Sequence, residues 1–275
     1  MELLHVMALP FLSCLVLVGI HGYLGLHILA RGVIFVDLAL AQIAALGAVL
    51  ALVVGLDHEG PWAYWFSVAF TLAGAAMFAF TRTRRQRIPQ EALIGITYAV
   101  AAAAGVIALD KAPHGAEELK EMLTGAILWV NAKTVLHSAA VYALMGLVHW
   151  VFRDKFVAIS FEPERAVAEG ISVRFWDFVF YATFGIIITI SVPVAGVLLV
   201  FTFLIVPAVA SALLVSGLRA RMATAYAIGM VGSVVGCVAS YTLDLPTGAA
   251  VVVVFGAMLA LIAAGATLRG AGRAV

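Results

Sequence analysis

Charge is scarce in this chain. Of 275 residues only 11% are Asp, Glu, Lys or Arg, and the net charge is +1. No basic domain is present to hold a nucleic acid, so none is expected as a partner. Cysteine is nearly absent. Cys14 and Cys237 both sit inside apolar runs, so a disulfide framework is not expected and both read as packing residues. The first apolar stretch, 3–29, lacks a basic n-region and a small-residue cleavage site, so it reads as a first span rather than a removable leader. Enzyme signatures are missing too: there is no HExxH, no GxxxxGK(S/T) phosphate loop and no GxSxG elbow. Any ATP-driven work therefore belongs to another chain.

Apolar sequence is what the chain has in abundance. Hydrophobic residues make up 64% and the mean hydropathy is +1.12, too apolar for a soluble core of this length. Runs of about 20 apolar residues match the ~30 Å hydrocarbon slab of a bilayer. Nine spans can be drawn, at 5–29, 33–56, 61–80, 91–109, 134–152, 177–193, 195–216, 222–243 and 247–268. The expected fold is an all-α polytopic bundle, with residues 1–275 forming one transmembrane domain. The weakest division falls between the sixth and seventh spans, where Ser191, Pro193 and Gly196 interrupt one run. A tight turn there gives nine spans; a broken or re-entrant segment gives eight plus a partial one.

The basic residues orient the bundle. Alternate loops collect Arg31; Arg82, Arg84, Arg85 and Arg87; Arg153, Lys155, Arg165 and Arg174; Arg219 and Arg221; Arg269 and Arg273, leaving only Lys111, Lys120 and Lys133 on the other side. Positive loops stay cytoplasmic, which predicts an outer N-terminus and an inner C-terminus. Two loops exceed turn length. The outer one, 110–121, is polar and acidic and carries His114. The inner one, 153–176, contains a short amphipathic helix: Pro163 opens it, and Ala166, Val167 and Ile171 form an apolar strip beside Glu162, Glu164 and Glu169. Its acidic rim argues for a protein partner over anionic lipid.

Polar groups inside spans are costly, about 2.5–3.5 kcal/mol for a charge at the centre of a helix, and usually have a partner or a task. Counted from Arg31 at 1.5 Å per residue, Asp37 lies about 9 Å deep and Gln42 about 16 Å; in the preceding helix His27 lies about 6 Å and His21 about 15 Å deep. In a hairpin turning at Arg31 and Gly32, His21 is level with Gln42 and His27 with Asp37. These four are the candidate pathway residues, with interhelical hydrogen bonding as the simpler role. Asp37 and Gln42 are separated by about 140° around their helix, so both pairs do not line one cavity without a bend. His137 and His149 read as satisfied interior histidines. Glu91 reads as a carboxylate favouring a helix N-terminus, and Gly232 with Gly236 as a GxxxG packing motif.

Three stretches carry a resemblance: RGVIFVDLALAQIAALG (31–47); EALIGITYAVAAAAGVIAL (91–109) followed by LTGAIL; and FEPERAVAEGISV (161–173) leading into VAGVLLVFTFLIVPAVASALL (194–214). In order and spacing they resemble the permease subunits of bacterial metal-uptake ABC transporters of the zinc, manganese and iron group. The resemblance implies a homodimer in the inner membrane, seated on two copies of a separate ATPase that holds the ATP. It also implies a periplasmic or lipoprotein metal-binding protein that supplies a divalent metal ion. The segment 162–173, with Glu162, Glu164, Glu169 and Gly170, corresponds to the coupling helix that docks into the ATPase. Typical members carry an Asp followed four residues later by a His in the second span. Here Asp37 is followed five residues later by Gln42, a poor zinc ligand better suited to hard cations. His21 is a candidate for the missing imidazole, making Asp37 and His21 the candidate metal ligands. Two other readings stay open: a permease for a chelated metal or another small solute, and a proton-coupled secondary transporter using Asp37. The second requires inverted repeats with paired broken helices, which the sequence does not display.

Overall fold

The computed structural model describes residues 2–56, 60–82, 88–110 and 125–271, which are helical with no strand among them. In chain order the helices are α1 (Glu2–Arg31), α2 (Val36–Val53), α3 (Pro61–Thr81), α4 (Gln90–Leu109), a 3-10 turn at Ile127–Trp129, α5 (Ala132–Val151), α6 (Arg153–Phe161), α7 (Pro163–Ala168), α8 (Val173–Leu214), α9 (Leu218–Leu243) and α10 (Thr247–Ala271). Eight of them are long and apolar enough to cross a membrane. Arg84, Arg85, Arg87, Lys111, His114, Lys120 and Arg273 lie outside the described residues, as does most of the expected outer loop.

The count differs from nine at one place. The expected spans 177–193 and 195–216 run on as one 42-residue element, α8, in which two helices meet at a kink at Gly196 (φ 77, ψ 156), where the sequence places the interruption. Pro193, which lacks an N–H, weakens the helix just before the break. Gly196 itself takes a backbone conformation that a side chain would resist. The predicted turn between the first two helices forms where expected, with Arg31 ending α1 and Gly32 at φ 66.

Two compact units are discernible, 1–29 with 124–142 and 194–275, and 30–123 with 143–193. In the first unit small residues let helices close up. A Cβ at Gly232 would stand 2.6 Å from the Phe255 ring, and one at Gly236 would stand 2.7 Å from the Val251 Cα. The GxxxG therefore packs α9 against α10, as its spacing predicts. Gly125, of the LTGAIL stretch, presses on the Ala195–Gly196 peptide at the break in α8. In the second unit α2 lies against both α3 and α4, and Gly47 admits the Phe66 carbonyl, 2.8 Å from where a Cβ would sit.

Buried polar groups are mostly satisfied. His149 is hydrogen-bonded through Nε2 to Thr183 Oγ1 at 2.8 Å and stacks on Phe156, the satisfied interior histidine expected of it. His137 is instead exposed. It lies on a helix only 22% buried across its apolar window, so the face it occupies has no interior to join. Helices α4 and α10 are likewise only 11% and 17% buried and present Ile96, Val100, Val253 and Leu261 outward. Apolar outer faces are stable where the surroundings are lipid or another apolar subunit.

Candidate functional site

The α1–α2 turn brings two carboxylates together. Glu91, in the first turn of α4, reaches across to α2, and its Oε1 accepts a hydrogen bond from the Phe35 N–H at 3.0 Å. Phe35 is the N-cap residue of α2 and offers no side-chain cap of its own, so Glu91 supplies the missing acceptor from another helix. The expectation for Glu91 was its own helix's N-terminus; the structure adds the N-terminus of α2. Asp37 lies in the first turn of α2, 2% exposed. Asp37 follows two positions after the Phe35 that Glu91 holds, so both acids stand at the N-terminal end of α2.

Each acid keeps one oxygen in reserve. Asp37 Oδ1 and Glu91 Oε2 are buried and meet no hydrogen-bond donor among the described residues. Buried carboxylate oxygens without donors are costly, and the common remedies are a cation or a metal. The sequence named Asp37 but not its neighbour. A carboxylate opening α4 looked complete as a helix-terminus charge, and no spacing rule links positions 37 and 91.

Gln42 is buried in α2, 7% exposed. His21 and His27 belong to the first compact unit, whereas Asp37, Gln42 and Glu91 belong to the second. His21 is fully buried; its Nδ1 donates to the Leu17 carbonyl at 2.9 Å, and its ring meets Tyr142 edge-on. His27 is 1% exposed, with its ring 4.6 Å from that of Tyr23.

A second charged group was missed. Asp177, at the start of α8, is fully buried, so Asp37 is not the only acid inside the protein. Arg31 Nη1 donates to Asp177 Oδ1 at 2.6 Å, and Arg82 Nη1 donates to Oδ1 and Oδ2 at 2.8 and 2.7 Å. The Arg31 side chain is 1% exposed and that of Arg82 22%. Arg31 also donates through Nε to Ser160 Oγ at 2.8 Å and lies over the Phe180 ring at 3.9 Å. Breaking such a pair by removing one partner costs about 3–5 kcal/mol, because the other charge is left buried. The two arginines had been read only as topology signals.

The segment expected to form one helix over about 160–173 is two short helices. Helix α6 ends at Phe161, Glu162 caps it, and Pro163 opens α7. Helix α7 closes at Gly170 (φ 67), where the Gly170 N–H donates to the Val167 carbonyl at 3.1 Å and the Ile171 N–H to the Ala166 carbonyl at 2.9 Å. The predicted strip also divides. Ala166 is buried on Ala158 and Ile159, with Ile171 packed beside them, but Val167 is 45% exposed. Consecutive helical residues stand about 100° apart, so 166 and 167 point to different sides. Arg165 donates to Glu169 Oε1 at 2.7 Å and to Glu162 Oε2 at 3.1 Å, and these partners hold its pKa above the ordinary arginine value. Glu164 and Val167 remain on the outer face.

Comparison with known proteins agrees with this architecture. The model of the ABC 3 transport family matches residues 4–266. The chain is 27% identical over 240 residues to the "Manganese transport system membrane protein MntC" of Listeria innocua, covering 87% of this chain and 83% of that protein. It is 24% identical over 260 residues to the "Probable iron transport system membrane protein" of Haemophilus influenzae, covering 94% and 93%. The fold is similar to that of PsaBC from Streptococcus pneumoniae in complex with Fab, with a TM-score of 0.77 at 23% identity over 94% of this chain and 91% of that one. With eight apolar helices among the described residues and a family match along nearly its whole length, the chain belongs to the ABC 3 transport family as a multi-pass membrane transport protein.

Proposed function

We propose that this chain is the membrane-spanning subunit of an ATP-driven importer for a divalent metal ion, with manganese favoured over zinc. The observation that carries the reading is the carboxylate pair of Asp37 and Glu91, each with a buried oxygen that meets no donor among the described residues. Oxygen donors suit manganese, whereas zinc prefers imidazole and thiolate. Gln42 adds a further oxygen along α2, and His21 and His27 are the pathway candidates on α1. The names of the relatives, transporters of manganese and iron, support the same cargo class.

In this reading the α6–α7 segment docks on a separate ATPase through its outer face, with Glu164 and Val167 exposed and Glu162, Glu169 and Gly170 shaping the turn. A second copy of the chain completes the pathway, an extracytoplasmic binding protein delivers the ion, and the assembly sits in a bacterial inner membrane. The test is uptake by a deletion strain carrying the chain with its ATPase, offered manganese, iron and zinc in competition. Manganese uptake that excess zinc barely suppresses is expected. Zinc outcompeting manganese at equal concentration overturns the metal assignment, and uptake that persists without the ATPase overturns the ATP-driven reading.

A further inference from the structure

We propose that Arg31, clamped by Asp177, is the positioning residue through which the α6–α7 segment sets the α1–α2 turn and thereby the carboxylate of Asp37. The inference rests on the docking role proposed above for that segment. Arg31 is the last residue of α1, and Asp37 lies in the first turn of α2. The backbone between them is gripped at its far end by the bond from the Phe35 N–H to Glu91. At the near end, Arg31 donates to Ser160 in the last turn of α6 and to Asp177 in the first turns of α8. Arg82, just past the end of α3, holds the same Asp177 carboxylate through both oxygens. Four elements, α1, α3, α6 and α8, are thus tied to one buried acid.

Stability alone does not require this arrangement. The cluster carries two positive charges on one negative, and Arg31 Nη2 meets no acceptor among the described residues. Apolar residues of the same volume commonly hold helices together at least as well. An ionic cluster adds direction: a displacement of α6 acts on the Arg31 guanidinium through Ser160, and from there on a short turn already fixed at its other end. The immediate surroundings of α6 are rigid, since Ala158, Ile159 and Ala166 form one buried core with Trp176 packed on it. Helices α6 and α7 and the first turn of α8 therefore have the packing to move as one piece.

The experiment uses the full chain assembled with its ATPase in proteoliposomes, with manganese ion as the probe, and reads ion uptake and ATP hydrolysis in one preparation. Asp177→Asn keeps the shape and removes the charge, Ser160→Ala removes the hydrogen bond from Arg31 to α6, and Asp177→Glu keeps the charge that both arginines pair with. Asp177→Asn is expected to retain the ATPase and hydrolyse ATP while uptake per ATP falls about tenfold; Ser160→Ala falls about threefold, and Asp177→Glu keeps a large part of the uptake per ATP. Unchanged uptake per ATP in assembled Asp177→Asn and Ser160→Ala overturns the proposal. So does a loss of uptake that only parallels a loss of folded complex, and so does a folded Asp177→Glu variant that stays at the Asp177→Asn level. If Asp177→Asn does not fold, Ser160→Ala decides alone. Failure of the wild-type chain to bind an ATPase overturns the docking role itself, a result distinct from an intact complex with unaltered coupling.

Discussion

Asp37 and Glu91 differ in what their neighbours give them, and that difference separates their expected phenotypes. Asp37 is buried with Oδ1 meeting no donor among the described residues, whereas Glu91 also holds the N-terminus of α2 through Phe35. Asp37→Asn is expected to express normally and to lose uptake about tenfold or more, since it removes the charge that attracts a cation and little packing. Membrane abundance and initial uptake rates check this, and full uptake would falsify the pathway role. Glu91→Gln keeps an acceptor for Phe35 and should likewise lose uptake with near-normal stability. Glu91→Ala should in addition destabilise the protein by about 1 kcal/mol, the usual worth of a lost helix cap, visible as a lower melting temperature in detergent. His21→Ala is expected to lose uptake if the imidazole serves the ion, with partial recovery in a Gln42→His background; a packing role would show as lower stability without that recovery.

At the level of elements, two glycines make opposite predictions. Gly236 faces the Val251 Cα on α10 with no room for a side chain. Gly236→Leu is expected to cost about 1–3 kcal/mol through overpacking, measured as a reduced melting temperature while the ATPase still binds the folded fraction. Gly170 is the reverse case: nothing lies within 4 Å of its Cβ position, but its φ is 67. Gly170→Val should leave the bundle intact and distort the end of α7, lowering co-purification of the ATPase. Retained ATPase with normal coupled transport in Gly170→Val combined with Glu169→Ala would remove the docking assignment.

For the whole molecule, topology turns on α8. Its 42 residues correspond to about 63 Å at 1.5 Å per residue, twice a hydrocarbon slab. If the chain reverses at Gly196, the loop after α8 and the C-terminus join the side that holds Arg31, Arg82 and Arg153, and the basic asymmetry is kept. If it crosses once, that asymmetry largely disappears. Single cysteines decide between the two, because Cys14 and Cys237 are buried and should stay silent. Leu245→Cys is expected to label from outside intact cells and Ser216→Cys only after permeabilisation; the opposite pattern excludes the reversal. Element existence was legible in the sequence because lipid demands long apolar helices with internally paired backbones, and seven of the eight such helices among the described residues stand close to their expected bounds, the eighth joining two expected spans across a kink. Asp37 was legible as well, since a charge in an apolar run stands out against its surroundings. The partnerships of Glu91 with Asp37 and of Arg31 and Arg82 with Asp177 join residues 54 to 146 positions apart. The sequence by itself determined the fold class, the spans and the acid in the second helix. Only tertiary packing decided which charges share a site, because electrostatic contact depends on distance in space and no local periodicity encodes it.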